Sequence, residues 1–130
     1  MTLPVTLALR RQEWVWRLAT RPVAALESLR AQTVDLAPMA LRGAAFDLSQ
    51  ATGIDPRAME LELVIDPGSV GRCGVELSNA HGERYRIGFD ATQQLYFSDR
   101  TQAGDYQFSK SFAVAVQTAS RPVPRGPVRL

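Results

Sequence analysis

Residues 84–90 alternate with unusual clarity. Tyr85, Ile87 and Phe89 interleave with Arg84, Arg86, Gly88 and Asp90, which is the period of two that a half-buried β-strand imposes on a sequence. Asp90-Ala91-Thr92-Gln93 supplies turn chemistry, and Leu95 and Phe97 resume the apolar face. The stretch from Glu83 to Ala113 therefore reads as two strands joined by a tight turn. The segment Ser98-Asp99-Arg100-Thr101, a Gly-containing loop and a third strand then follow. A register slip of one residue would turn every apolar side chain to the wrong face, so this pattern constrains the fold strongly.

The same period recurs along most of the chain. Val5, Leu7 and Leu9 form a first strand after Pro4, and Trp14, Trp16 and Leu18 share one face of a second, across a hairpin centred on Arg11-Gln12-Glu13. Between Arg21 and Arg30 the period changes. Val23, Leu26 and Leu29 recur at helical spacing, with Pro22 where a first helical turn accepts it. This predicts one short helix or a pair of 3₁₀ turns, the single helical element expected. Short strands follow at Val34–Leu36 and Phe46–Leu48, with Gly43 between them. Met59, Leu61, Leu63 and Ile65 then make the longest clean alternation, ended by the turn Asp66-Pro67-Gly68-Ser69. Cys73, Val75 and Leu77 make another face, closed by Asn79-Ala80-His81-Gly82, and Phe112, Val114 and Val116 a last one. Strands about ten residues apart, punctuated by Gly, Pro, Asn and Asp, predict an all-β fold, an antiparallel β-sandwich or barrel. At 130 residues the chain is sized for a single domain, 1–130. Residues 127–130 look like a strand beginning after the Pro-rich connector 120–126, so the domain is expected to be truncated at its C-terminus.

Composition narrows the functional classes. A net charge of +2 is too small to argue for a polyanionic partner, and the excess of arginine over lysine reads as compositional bias. Cys73 stands alone, which excludes an internal disulfide and a zinc cluster, and no P-loop or dinucleotide fingerprint occurs. No apolar run approaches the roughly 20 residues that span a bilayer, and no signal peptide is visible. The compartment is therefore unassigned, and no cofactor, nucleic-acid or membrane partner is expected.

Chemistry-bearing residues are few. His81 reads as an exposed turn residue. Glu60 and Glu62 share the polar side of one strand, where a solvated face is the better reading than the carboxylate pair of a glycosidase. Asp99 beside Arg100 suggests a strand end fixed by charge-assisted hydrogen bonds. Of the aromatic side chains, Trp14, Trp16, Tyr85, Phe89, Phe97, Tyr106 and Phe108 read mostly as core. Tyr96 alternates outward between Leu95 and Phe97, and is the candidate for stacking on a sugar.

The wording of residues 85–113 resembles the C-terminal β-sandwich of glycoside hydrolase family 32, the levanases, inulinases and invertases. The matching positions are Ile87, Gly88, Phe89, Asp90, Leu95, Asp99, Arg100, Thr101, Ala103, Gly104, Phe108 and Phe112. Leu3-Pro4, Leu7, Leu18, Pro22-Val23, Leu26 and Leu29-Arg30 are similar to that family's entry into the sandwich. Val5-Thr6 departs from the family's usual Arg-Glu. The resemblance implies a concanavalin-like or jelly-roll sandwich with one short N-terminal helical segment, bracing an upstream five-bladed catalytic propeller. That propeller carries the family's catalytic carboxylates and would act on fructan or sucrose, so no catalytic residue is expected here. Asp99, Arg100 and Thr101 are expected to be architectural and Tyr96 a possible carbohydrate contact. Two other readings stay open: a free-standing carbohydrate-binding module, and a plain interaction or dimerisation domain, pairing two copies as a homodimer in the latter case, which a large exposed apolar patch formed by Trp14, Trp16 and the Val23-Leu26-Leu29 face would favour. The parent enzyme could be secreted or cytoplasmic.

Overall fold

The structure, a computed structural model, describes residues 3–12, 14–43, 45–104, 108–120 and 126–130. The strands are β1 (Val5–Gln12), β2 (Val15–Pro22), β3 (Val64–Ile65), β4 (Arg72–Ser78), β5 (Arg84–Asp90), β6 (Leu95–Gln102), β7 (Gln117–Ser120) and β8 (Val128–Arg129). Every pairing is antiparallel. The all-β antiparallel class expected from the alternation is what the chain adopts. Two compact units are distinguished, Met1–Ile54 and Asp55–Leu130.

The first unit is built on the β1–β2 hairpin, in which Leu9 lies directly opposite Leu18 and Gln12 opposite Val15. Arg11 and Gln12 are thus strand residues, and the turn lies one step later than expected, with Glu13 outside the described residues. Trp14 falls in the turn and not on the strand face. The register that opposes the two leucines fixes this shift. Pro22 closes β2, opposite Val5, and a 3₁₀ segment follows at Ala24–Leu29. The helical element is therefore where the period changed, but Pro22 precedes it instead of opening it. Its Ncap, Val23, offers no side-chain cap, consistent with a short 3₁₀ form.

Two further helical pieces replace or precede expected strands. Leu48–Thr52 is an α-helix capped by the Asp47 carboxylate, which accepts from the Gln50 N–H at 2.9 Å, and ended by Gly53 at φ 68°. Asp at the Ncap and Gly at C′ outweigh the two-residue alternation of Phe46 and Leu48. Pro56–Ala58 is a 3₁₀ turn, with Asp55 capping the Arg57 N–H. Residues Val34 and Leu36 lie in irregular backbone and form no strand.

In the second unit β4, β5, β6 and β7 form one sheet in that order, and β3 pairs with β8. The alternation over 59–65 survives in burial: Leu61, Leu63 and Ile65 are half-buried, whereas Glu60, Glu62 and Val64 are exposed. Only Val64–Ile65 is a strand, because its partner β8 is equally short, although Leu63 and Leu130 exchange two backbone hydrogen bonds of 3.0 Å. The strand beginning expected at 127–130 is thus present and paired. The turn at 66–69 forms as expected, with the Gly68 N–H on the Asp66 carboxylate at 3.0 Å. Phe112, Val114 and Val116 do not form a strand. The Phe112 N–H turns back to the Ser109 carbonyl, and the Phe112 ring packs on Phe108 with centroids 4.9 Å apart. The last strand of the sheet begins instead at Gln117.

Candidate site on the four-stranded sheet

Register assigns every side chain of this sheet to one of two faces. The apolar face carries Cys73, Val75 and Leu77 on β4, Tyr85, Ile87 and Phe89 on β5, Tyr96 and Ser98 on β6, and Ala119 on β7. Phe89 is fully buried. Val75, Leu77 and Ile87, together with Met59, Leu61, Leu63 and Leu130, line an apolar groove of about 180 Å³. Burial raises the Cys73 thiol above its ordinary pKa, which disfavours the nucleophilic thiolate.

The opposite face is polar and organised in cross-strand rows. Arg72 faces Asp90, and its Nε donates to Asp90 Oδ2 at 2.7 Å. Glu76 faces Arg86, whose Nε donates to Glu76 Oε2 at 2.7 Å, and Arg86 in turn faces Asp99. Between these rows Gly74 lies directly opposite Gly88, and Gly88 opposite Phe97. A Cβ on Gly74 would strike the Ile87 carbonyl oxygen; one on Gly88 would meet the Cys73 carbonyl oxygen and the Phe97 ring. The glycine pair is thus required by close approach of backbone and ring. The Arg72 guanidinium stands 5.5 Å from the centre of Phe97.

Asp90 does more than pair with Arg72. Its Oδ1 accepts from the Thr92 and Gln93 N–H groups at 3.0 and 2.9 Å, closing the β5–β6 turn. The Arg72 hydrogen bond, followed by that of Gln93, holds its carboxyl below the usual carboxylate range. Arg86 does the same for Glu76.

Asp99, Arg100 and Thr101 lie within β6 and not beyond it. Asp99 Oδ1 accepts from the Thr101 hydroxyl at 2.7 Å and the Thr101 N–H at 3.0 Å. The Thr101 hydroxyl is the main cause of its lowered pKa, with Arg86 and Arg72 adding to it. The Arg100 guanidinium stacks over the Phe112 ring at 4.6 Å. The Asp-Arg step is therefore not a mutual charge pair: Asp99 is bonded within β6, to Thr101, whereas Arg100 reaches the Phe112 ring, at the point where the β5–β6 register shifts.

Tyr96 is not turned outward. It sits opposite Phe89 and Ala119 and meets the Phe89 ring edge-on, with centroids 5.4 Å apart and planes at 62°. The turn after Asp90 reverses which residues face the core: Leu95 and Phe97 share the side of Gly88, and Tyr96 that of Phe89. His81 lies in an exposed turn organised by Asn79, whose Oδ1 accepts from the His81 N–H at 2.9 Å and the Glu83 N–H at 3.2 Å. Glu62 is an exposed partner of Arg129 at 2.7 Å. Tyr106 lies outside the described residues. Sequence reading missed the paired rows Arg72–Asp90 and Glu76–Arg86. Their signal was the opposite sign of charges four residues apart on the polar sides of adjacent strands, Arg72 and Glu76 on one and Arg86 and Asp90 on the next.

The sheet thus joins a largely apolar face to one crossed by the Arg72–Asp90 and Glu76–Arg86 ion pairs. Residues 25–130 match the family described as glycosyl hydrolases family 32 C terminal, and the chain belongs to that family of β-sandwich domains. It is similar to the levanase of Bacillus subtilis (strain 168), with 23% identity over 114 residues, which make up 88% of this chain and 17% of that protein. The chain thus spans less than a fifth of the length of this curated relative. No solved structure matches it.

Proposed function

We propose that the chain is the non-catalytic accessory β-sandwich of a family 32 β-fructosidase, where it braces a catalytic propeller that cleaves fructan or sucrose. The observation that carries this reading is the family match over residues 25–130, joined to the small share of the levanase that the chain covers. The side-chain chemistry supports it. Glycoside hydrolysis needs one carboxyl with a raised pKa facing a second carboxylate. Here Asp90, Glu76 and Asp99 are each held low by arginine or threonine donors, so none is poised as a general acid.

The purified chain is expected to release no fructose from sucrose, inulin or levan; measurable release would end this reading. The bracing role is tested separately. Replacing the matching segment of the Bacillus levanase by this chain should preserve its thermal half-life, whereas deleting the segment should shorten it. Equal half-lives for the deleted and intact enzymes would refute bracing.

A further inference from the structure

The ladder between β6 and β7 stops early. β6 runs on to Gln102, yet its pairing with β7 ends where Ser98 faces Gln117. Continued in the same register, Val116 would fall opposite Asp99, Ala115 opposite Arg100 and Val114 opposite Thr101. Phe112, Val114 and Val116 alternate as a strand does, and phenylalanine and valine suit a pleated backbone. Their backbone bends instead. Two features stand at the point where the pairing ends. Arg86 pairs with Asp99 and Arg84 with Gln102, which leaves Arg100 and Thr101 together opposite Tyr85, a β-bulge with one extra residue in β6. Asp99 Oδ1 closes that bulge by accepting from the Thr101 N–H at 3.0 Å and the Thr101 hydroxyl at 2.7 Å.

We propose that Asp99, Arg100 and Thr101 form a latch that holds a strand-competent segment, residues 112–116, off the β6 ladder. With the latch opened, β7 extends backwards from Gln117 towards Phe112. Each part of the latch works against the longer strand. The Asp99 carboxylate competes with any neighbouring strand for the Thr101 N–H. The bulge adds local twist and bends β6, which carries the end of that strand out of line with a straight neighbour. The Arg100 guanidinium, 4.6 Å from the centre of the Phe112 ring, attracts the ring face, and Phe108 packs on the same ring at 4.9 Å. The Phe112 N–H meanwhile donates to the Ser109 carbonyl at 3.1 Å, a bond that an extended backbone at this position would break. Bent and extended forms of one segment are thus set apart by a few side-chain contacts, all of them inside the second unit. The latch does not rest on the accessory role, so either can fail without the other.

Amide hydrogen exchange and backbone Cα chemical shifts of the 130-residue chain, read residue by residue by NMR, test the latch. In the parent chain the amides of residues 113–116 should exchange fast and carry no strand shifts. In the double variant Asp99→Ala with Arg100→Gln, the same residues should take on strand shifts. Exchange at those that join the ladder should slow by at least about tenfold. Arg100→Gln alone should move the shifts the same way by less. Protection of the Gly88 and Phe89 amides on β5 separates an opened latch from a lost fold. Should the double variant lose that protection, Phe112→Leu decides in the same way, since it keeps the apolar alternation and the bulge but removes the ring that Arg100 holds. Strand shifts already present at 113–116 in the parent chain would overturn the proposal. So would variants that keep β5 protected while residues 113–116 stay bent and fast-exchanging.

Discussion

The hairpin and the four-stranded sheet are made from the same alternating code and end in opposite states. In the hairpin, the apolar residues of β1 and β2 line up across the ribbon and remain largely exposed. In the sheet, β5 has a neighbour on each side, Phe89 is fully buried and the polar face is closed by ion pairs. Alternation writes a face; cover from neighbouring elements converts that face into a core, as for Phe89 on the central strand β5 and for Val128 on β8. Stability should therefore be concentrated in the sheet. The two regions can be followed separately, because both tryptophans, Trp14 and Trp16, belong to the hairpin, and their fluorescence reports it alone.

The largest effect is expected at the centre of the sheet. Phe89→Ala should cost about 3–5 kcal/mol by removing a fully buried ring and leaving Tyr96 without its edge contact. Chemical denaturation followed by far-UV circular dichroism measures it, and a loss comparable to that of a surface substitution would erase the contrast. Gly88→Ala comes next, at about 1–3 kcal/mol, since the added methyl group must displace the Cys73 carbonyl or the Phe97 ring.

Acid titration sharpens the comparison through charge. The folded-state pKa of Asp90 lies below its unfolded value, so its contribution to stability is fully present above the ordinary carboxylate range. It is lost as the pH falls through the lowered folded value. The denaturation midpoint should therefore drop as the pH passes from about 5 to below 4. Asp90→Asn should flatten part of that slope; an unchanged profile would show that the Arg72 and turn contacts add nothing. The smallest effect is expected in the hairpin. Leu7→Ser should leave the dichroism-detected transition within about 0.5 kcal/mol of the parent chain, whatever happens to tryptophan fluorescence.

Much of this was legible in the residues, and what was not has physical causes. The strands around Cys73, Phe89 and Leu95 declared themselves because several alternations and strong turn residues agreed. Phe46 and Leu48 misled, since two apolar residues two apart fit a strand and a helix entry equally. The cap at Asp47 decided between them. Phe112 misled because its ring was claimed by Phe108 and Arg100, contacts that no period encodes. The orientation of Tyr96 depended on the parity of the turn after Asp90, one residue of which reverses every face that follows. The Asp99-Arg100-Thr101 motif was visible as a motif, but its partners, Thr101 for Asp99 and Phe112 for Arg100, became clear only from the strand that carries it.

The order of strands in the sheet has a consequence for how it meets other chains. Its two edges are unlike. The β4 edge carries Arg72 and Glu76, both engaged in ion pairs across to β5, and an incoming strand would have to settle beside those charges. The β7 edge, Gln117–Ser120, has no charged residue, but offers only four residues of backbone. One edge is guarded by charge and the other by brevity, two devices by which sheets resist lateral growth. Lengthening β7, for instance by giving residues 114–116 extended backbone, would remove the second guard while leaving the first intact.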